Sequence, residues 1–362
     1  MNDSCDTRPP KPLQSHVLLS AGGTSLLLDI QGADQPIPVY WGAQLVGCDQ
    51  ETVNGALTAN RAQRVSGGPD FAAPLTLLPQ QSSAWVDGLG LAGHRQGTGF
   101  ATKLKTVRVD ATDTSAQIEL RDEQQGLGLL IELAVEPSGL LRQRLTLMNE
   151  GLTDYTLEHL RMVFPLPSNS AEVLDTTGHH LRERSPQRHR ITIGTYQRES
   201  LRGRPGADGT VFMAAGEENF GFESGLVYTV HLAWSGNTHV GVTRTTSAET
   251  FFTAGEALMP GEVILQPGQS YQTPWAMGSW GEGLNQVSKR YHDYVRARET
   301  HPARPRPVTL NTWEAVYFDH ELEKLTELAE AAAEVGAERF VLDDGWFRGR
   351  RDDTTSLGDW LV

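Results

Sequence analysis

From about residue 13 to residue 275, apolar and polar positions alternate in short runs broken by Gly, Pro, Asn and Asp. Ser25–Ile30, Lys103–Val109, Gln117–Leu120, Gly128–Val135 and Leu141–Leu147 all follow this pattern, as do the later runs His159–Phe164, Leu226–Val230 and Val240–Arg244. Period-two alternation bounded by turn residues predicts strands with one face in a core, joined as antiparallel sheets. No helix longer than a turn or two is expected in this stretch. So long a run of strands exceeds a simple immunoglobulin-type sandwich and predicts an extended two-sheet assembly. No repeat of fixed period occurs, which disfavours propellers and solenoids.

The period changes near residue 282. Leu284, Val287, Tyr291, Tyr294 and Val295 recur at helical spacing and predict an amphipathic helix over Glu282–Arg298. His301–Pro307 follows with three prolines, a stiff linker. Beyond it, Val308–Trp313 reads as a strand. Asp319 is the expected N-cap of a helix of about 17 residues, striped by Leu322, Leu325, Leu328, Ala329, Ala332 and Val335 and stopped by Gly336. Phe340-Val341-Leu342 then reads as a strand buried on both faces. This β-α-β order implies two neighbouring parallel strands. The organisation expected is residues 1–280 as the β-rich domain, 281–305 as connecting helix and linker, and 306–362 as the opening of a second domain. Two strands and one helix are too little for a domain, so the chain is expected to be truncated or one piece of a longer protein.

Charge narrows the partners. The formal net charge of -14 argues against nucleic acid and anionic membrane, which require a local excess of Lys and Arg. The basic patch Arg182–Arg190 is read as a solvated loop. Cys5 and Cys48 are too few for a disulfide framework or a cysteine zinc site. Met1–Asp6 has neither the basic nor the apolar region of a secretory signal, and no apolar run approaches a membrane span of ~18 residues. A cytoplasmic location is the expectation.

The candidate chemistry lies where the last strand ends, in Asp343-Asp344-Gly345-Trp346 followed by Phe347, an aromatic pair read as exposed. Ligands bind at the carboxyl ends of parallel strands. A carboxylate can accept hydrogen bonds from two sugar hydroxyls while an adjacent Trp offers an apolar face to the ring. Sugar binding, a metal-binding carboxylate pair and a loop of capping residues all fit these residues; Trp313, a second aromatic at the same mouth, favours the sugar. Gly88-Leu89-Gly90-Leu91-Ala92-Gly93 matches a dinucleotide fingerprint by letter but lies in a β region without a following helix, and is read as a flexible loop. His179, His180 and His189 have no carboxylate or cysteine cluster at ligand spacing and read as loop histidines. No G-x-S-x-G, P-loop or H-E-x-x-H occurs.

Taken together, Arg306–Asp319, Glu323–Glu330, Phe340–Phe347 and Arg351–Trp360 closely resemble the start of the catalytic barrel in family 36 glycoside hydrolases, the bacterial α-galactosidases. Asn219–Glu223 and Leu226–Arg244, with Trp234–Asn237, resemble the end of that family's N-terminal β-supersandwich; Leu77–Gln80 is a weaker match upstream. The resemblance implies a large antiparallel β-supersandwich followed by the first βαβ unit of a truncated (β/α)8 TIM barrel. It implies release of terminal α-galactose from melibiose, raffinose and related oligosaccharides with retention, by two carboxylates and without metal or cofactor. Asp343 and Asp344 would hold the galactose C4 and C6 hydroxyls, with Trp313 and Trp346 at the pocket wall. The family's nucleophile and acid/base aspartates lie on later strands, so this chain carries no catalytic residue and is expected to be inactive alone. Many members place an Asp-Arg pair of a Gly-Asp-Tyr-Arg motif in a neighbouring subunit's active site. The equivalent here is Gly93-His94-Arg95, which puts the aspartate contact in doubt and leaves His94 and Arg95 as candidates. The whole protein is expected to form a homo-oligomer and to bind neither nucleic acid nor membrane. A raffinose-type galactosyltransferase, an N-acetylgalactosamine enzyme and a non-catalytic carbohydrate-binding or assembly module are the alternatives.

Overall fold

The computed structural model describes residues 15–31, 34–60, 66–67, 73–85, 87–209, 211–247 and 249–362. The chain divides into two compact units that meet between Ala297 and Arg298.

The first unit is built almost wholly of antiparallel strands. A ten-stranded sheet runs from the hairpin Glu172–His179/Arg182–Arg190 at one edge to Lys105–Ala111 at the other. Next to the Lys105–Ala111 edge lies the series Ser115–Asp122, Leu127–Val135 and Leu141–Asn149, where alternation is strictest: Ile118, Leu120, Leu129, Ile131, Leu133, Leu145 and Leu147 are all buried. A four-stranded sheet joins Met162–Leu166, Thr250–Glu256, Thr238–Arg244 and Gly194–Ser200. Two three-stranded sheets complete the unit, one from His16–Ala21, Thr24–Asp29 and Ile37–Ala43, the other from Val263–Leu265, Tyr155–Leu160 and Leu91–His94. One continuous apolar core takes side chains from all four sheets, among them Leu26, Trp41, Ile131, Tyr155, Phe164, Tyr228 and Phe252. Burial of such area is the main stabilising contribution to a β structure of this size.

Three expectations about this unit change. A ten-residue helix, α1 (Gln50–Ala59), sits within the β region. Its signal is local: the Asp49 side chain accepts from the Thr52 N–H at 2.8 Å, and only Val53 and Leu57 are buried, against Leu27. Two apolar positions in three turns are too few to register as helical periodicity. The basic patch Arg182–Arg190 is an edge strand, paired with Glu172–His179 rather than a loop; Arg188 meets Glu172 at 2.7 Å and Arg190 meets Glu218 at 2.7 Å. Charged side chains on an edge strand oppose pairing with another chain. Gly88–Gly93 is likewise no flexible loop at its far end, because Leu91–His94 is a strand. A Cβ on Gly93 would lie 2.5 Å from Tyr155 Oη and 2.6 Å from Thr156 O, so the glycine answers to close strand packing.

Helix α2 (Gly283–Arg296) follows the strand Ala276–Glu282, as the periodicity predicts, and buries Val287 against Ala214, Phe220 and Val227. Its Arg290 is also buried, with the guanidinium donating to Gly22 O at 2.7 Å and to Trp280 O at 3.1 Å.

The second unit contains a parallel strand pair, Thr309–Asn311 and Arg339–Val341. Between them run a single turn, α3 (Trp313–Val316), and a helix, α4 (Leu322–Glu334). The first strand is shorter than expected and Trp313 opens α3 instead of ending the strand. Helix α4 has 13 residues, fewer than the pattern predicts, and Glu321 occupies the N-cap position; Asp319 pairs with Lys324 at 3.1 Å instead. Gly336 does terminate the helix at φ +90°, with Ala337 N donating to Ala332 O at 2.9 Å. The strand at 339–341 is only partly buried and Leu342 is 44% exposed, so burial on both faces is not found. Among the described residues this strand has one parallel neighbour and no second, which leaves its other edge uncovered. No helix of the described residues is long and apolar enough to cross a membrane.

Candidate functional site

The two parallel strands bring their carboxyl ends together through a small polar lattice. Thr312 N donates to Val341 O at 3.0 Å and Asp343 N donates back to Thr312 Oγ1 at 3.1 Å, so the segment after each strand is fastened to the other. The Asn311 side chain spans the gap: its Nδ2 donates to Asp343 Oδ2 at 2.7 Å, and its Oδ1 accepts from Trp313 N at 2.8 Å. Asp343 Oδ1 accepts from Asp344 N at 2.8 Å. The Asn311 amide, followed by the Asp344 N–H, holds the Asp343 carboxyl below the ordinary carboxylate range. Asp343 is therefore an ionised acceptor with a fixed orientation.

Asp344 is held from a different direction. Its Oδ2 accepts from Arg350 Nη2 at 2.9 Å, while Oδ1 meets no hydrogen-bond donor among the described residues. Arg350 is 4% exposed, donates through Nη1 to Thr355 O at 2.7 Å and packs with Phe318 and Phe347, 5.3 Å and 6.0 Å from its guanidinium carbon to the ring centres. Gly345 follows at φ +101°, where a Cβ would lie 3.1 Å from Phe318 Cα and 3.3 Å from His320 Cδ2. Only glycine suits that turn. His320, beside it, has both ring nitrogens buried without a partner among the described residues.

The aromatic residues divide into two groups. Trp313 packs edge-on with Tyr317 and Phe318, at 5.2 Å and 5.0 Å between ring centres. Trp346 stacks on Trp360 at 6.4 Å and meets Phe347 edge-on at 5.1 Å. Phe347 is 1% exposed, which corrects the expected exposed pair: its ring closes over the Arg350 guanidinium instead of facing solvent. Trp346 is half-buried. The structure thus joins Trp313 to Asp343 through Asn311, and Asp344 to the neighbourhood of Trp346 through Arg350 and Phe347. Asn311, His320 and Arg350 were not among the residues singled out from the sequence. Asn311 lies in the quoted strand, but nothing in spacing says that its amide turns toward Asp343.

His94 and Arg95 belong to the first unit. His94 Nδ1 accepts from Gly97 N at 3.0 Å, and Nε2 lies 3.8 Å from Glu158. The Arg95 guanidinium donates to Gln125 O at 2.7 Å, to Asn149 Oδ1 at 2.7 Å and to Gly126 O at 3.2 Å, contacts Thr153 O, and sits over the Tyr155 ring at 5.4 Å. These bonds fasten three loops of the sheet unit together.

Two ionised or ionisable carboxylates beside half-buried indoles are suited to gripping a polyol: acceptor oxygens for hydroxyls and apolar faces for C–H surface. Among the described residues, no group of three or more His, Cys, Asp or Glu is placed to hold a metal ion.

Comparison with known proteins gives the family. Residues 34–266 match the glycosyl hydrolase family 36 N-terminal domain, and residues 270–362 match Melibiase. The chain belongs to glycosyl hydrolase family 36. Among family relatives, the alpha-galactosidase of Escherichia coli is 35% identical over 300 residues, covering 82% of this chain and 42% of that protein. Alpha-galactosidase AgaA of Geobacillus stearothermophilus is 29% identical over 390 residues, covering 98% of this chain and 52% of its own. The crystal structure of AgaA superposes with a TM-score of 0.83 at 26% identity over 96% of this chain and 52% of that one. Variants of AgaA have been crystallised with raffinose and with stachyose. The chain spans about half the length of the curated relatives it matches.

Proposed function

We propose that this chain is the N-terminal part of a retaining α-galactosidase that releases terminal α-linked galactose from oligosaccharides of the melibiose and raffinose type. In this reading residues 306–362 open a (β/α)8 barrel, and Asp343, Asp344, Trp313 and Trp346 contact the galactose, with Asp343 and Asp344 accepting from its C4 and C6 hydroxyls. The observation that carries it is Asp343-Asp344 at the carboxyl ends of a parallel strand pair, oriented by Asn311 and Arg350, in a chain of a family whose relatives are alpha-galactosidases. The raffinose and stachyose complexes of AgaA support the substrate class.

The recognition carboxylates position the sugar's anomeric carbon and contribute binding energy, while bond breaking falls to a nucleophile and an acid/base aspartate on strands beyond residue 362. The homo-oligomer expected of the whole protein, and a reach of His94 or Arg95 into a neighbouring subunit's site, belong to the same proposal.

The test is galactose release from raffinose and melibiose by the product of the reading frame extended past Val362, beside the chain ending there. The extended protein is expected to release galactose and the shorter chain to release none. Turnover by the shorter chain would overturn the assignment of roles, and an inactive extended protein would overturn the activity.

A further inference from the structure

One of the two oxygens of Asp344 is already engaged by a cation. The partner is Arg350, six residues on, whose guanidinium is almost wholly enclosed: Nη2 donates to Asp344 Oδ2 at 2.9 Å, Nη1 donates to Thr355 O at 2.7 Å, and the Phe318 and Phe347 rings flank it. A buried guanidinium is tolerated when a carboxylate faces it and its plane is packed by aromatic rings. The cation in turn fixes the rotamer of the carboxylate it binds. With one lone pair of Oδ2 engaged and the carboxylate held in place, Oδ1 is the oxygen of Asp344 with no donor among the described residues.

We propose that Arg350 is a positioning residue for sugar recognition: it clamps Asp344 Oδ2 and so fixes the direction in which Oδ1 is presented to a substrate hydroxyl. Asp343 lacks this arrangement, since its two oxygens accept from Asn311 and from the Asp344 N–H. The two carboxylates are therefore not equivalent. Asp344 offers an oxygen with no donor among the described residues, whereas both oxygens of Asp343 already accept one. Loss of Arg350 frees Asp344 to rotate without removing any group that touches the sugar. This inference rests on the galactose-recognition reading above.

The experiment is a double-mutant cycle in the full-length protein with R350Q, D344N and D344N/R350Q, plus R350K as the conservative variant. Two readouts are taken: the inhibition constant for galactose against an α-galactoside, and the melting temperature without ligand. R350Q is expected to weaken galactose about 10- to 100-fold, the loss that follows a charge-assisted hydrogen bond. R350K should recover part of it. D344N/R350Q should bind galactose no more weakly than D344N, because Arg350 acts only through Asp344. An arginine with a purely structural part would lower the active fraction, hence kcat, and leave the inhibition constant unchanged; that result, or additive losses in the double variant, overturns the proposal.

The melting temperatures make failure of the two readings separable. If the full-length parent neither hydrolyses α-galactosides nor binds galactose, the functional reading falls. The positioning proposal falls with it as a statement about sugar, while non-additive melting temperatures would still establish the Asp344–Arg350 clamp.

Discussion

Asp343 and Asp344 are neighbours in sequence with unlike surroundings, and the difference is testable one residue at a time. Asn311 is the main cause of the lowered Asp343 pKa. Asn311→Ala is therefore expected to raise that value toward the ordinary ~3.9, as read by carboxyl-carbon NMR titration; an unmoved titration would show that the amide does not hold the carboxylate. A second residue-scale prediction concerns acid. His159 Nε2 lies 3.0 Å from Leu89 O, and burial, with Arg161 adding to it, lowers the imidazole from 6.5 to about 4. Nearby His239, wholly buried between Glu199 at 2.9 Å and Thr253 at 3.1 Å, is lowered by burial too. Because the folded value is below the unfolded one, the unfolded chain binds the proton more tightly, so stability is present above pH ~6.5 and falls as pH drops toward 4. For His159 the full effect is about 3 kcal/mol. His159→Gln should flatten the dependence of melting temperature on pH between 7 and 4.5; an unchanged slope would place the titrating group elsewhere. Glu199, lowered mainly by its hydrogen bond from His239, adds a loss at still lower pH.

At the scale of elements, strands were legible wherever alternation coincided with one-sided burial. Leu127–Val135 and Leu141–Asn149 were read to within two residues at each end, and Ser115–Asp122 through its central Gln117–Leu120, because every second side chain enters one core. Ile131 is wholly buried among them, and Ile131→Ala is expected to cost about 2–5 kcal/mol in denaturant unfolding; a loss under about 1 kcal/mol would mean that the core collapses around the gap. The reading weakened where another cause decides the conformation. Helix α1 rests on one cap and two apolar contacts. Arg182–Arg190 is a strand because a partner strand lies beside it, although its composition is that of a solvated loop. Gly93 is decided by the Tyr155 ring, so Gly93→Ala should lower the melting temperature by several degrees, a loss of about 1–3 kcal/mol from forced displacement. A neutral result would show that the strand Leu91–His94 can shift. The same limit applies to the site: Asp343-Asp344 stands out as a pair of carboxylates after an apolar run, whereas Asn311 and Arg350 acquire their parts only when the two strand ends and the turn after Gly345 are brought together.

For the whole molecule, the second unit carries exposed apolar side chains. Leu322 and Leu342 are exposed and Val335 is 85% exposed, beside a parallel strand with one neighbour. An open strand edge and uncovered apolar groups favour association, so the chain ending at Val362 is expected to elute as oligomer or aggregate in size-exclusion chromatography; a stable monomer would contradict this. The central claim is that Asp344 recognises the sugar of an α-galactoside substrate without performing the bond chemistry. The most direct measurement is kcat/KM of the full-length protein on p-nitrophenyl α-galactoside, with and without D344A. The account predicts a fall of about 100-fold or more with the fold intact by circular dichroism, the size expected when an orienting charged hydrogen bond is lost. A D344A enzyme with the parent's kcat/KM would contradict it.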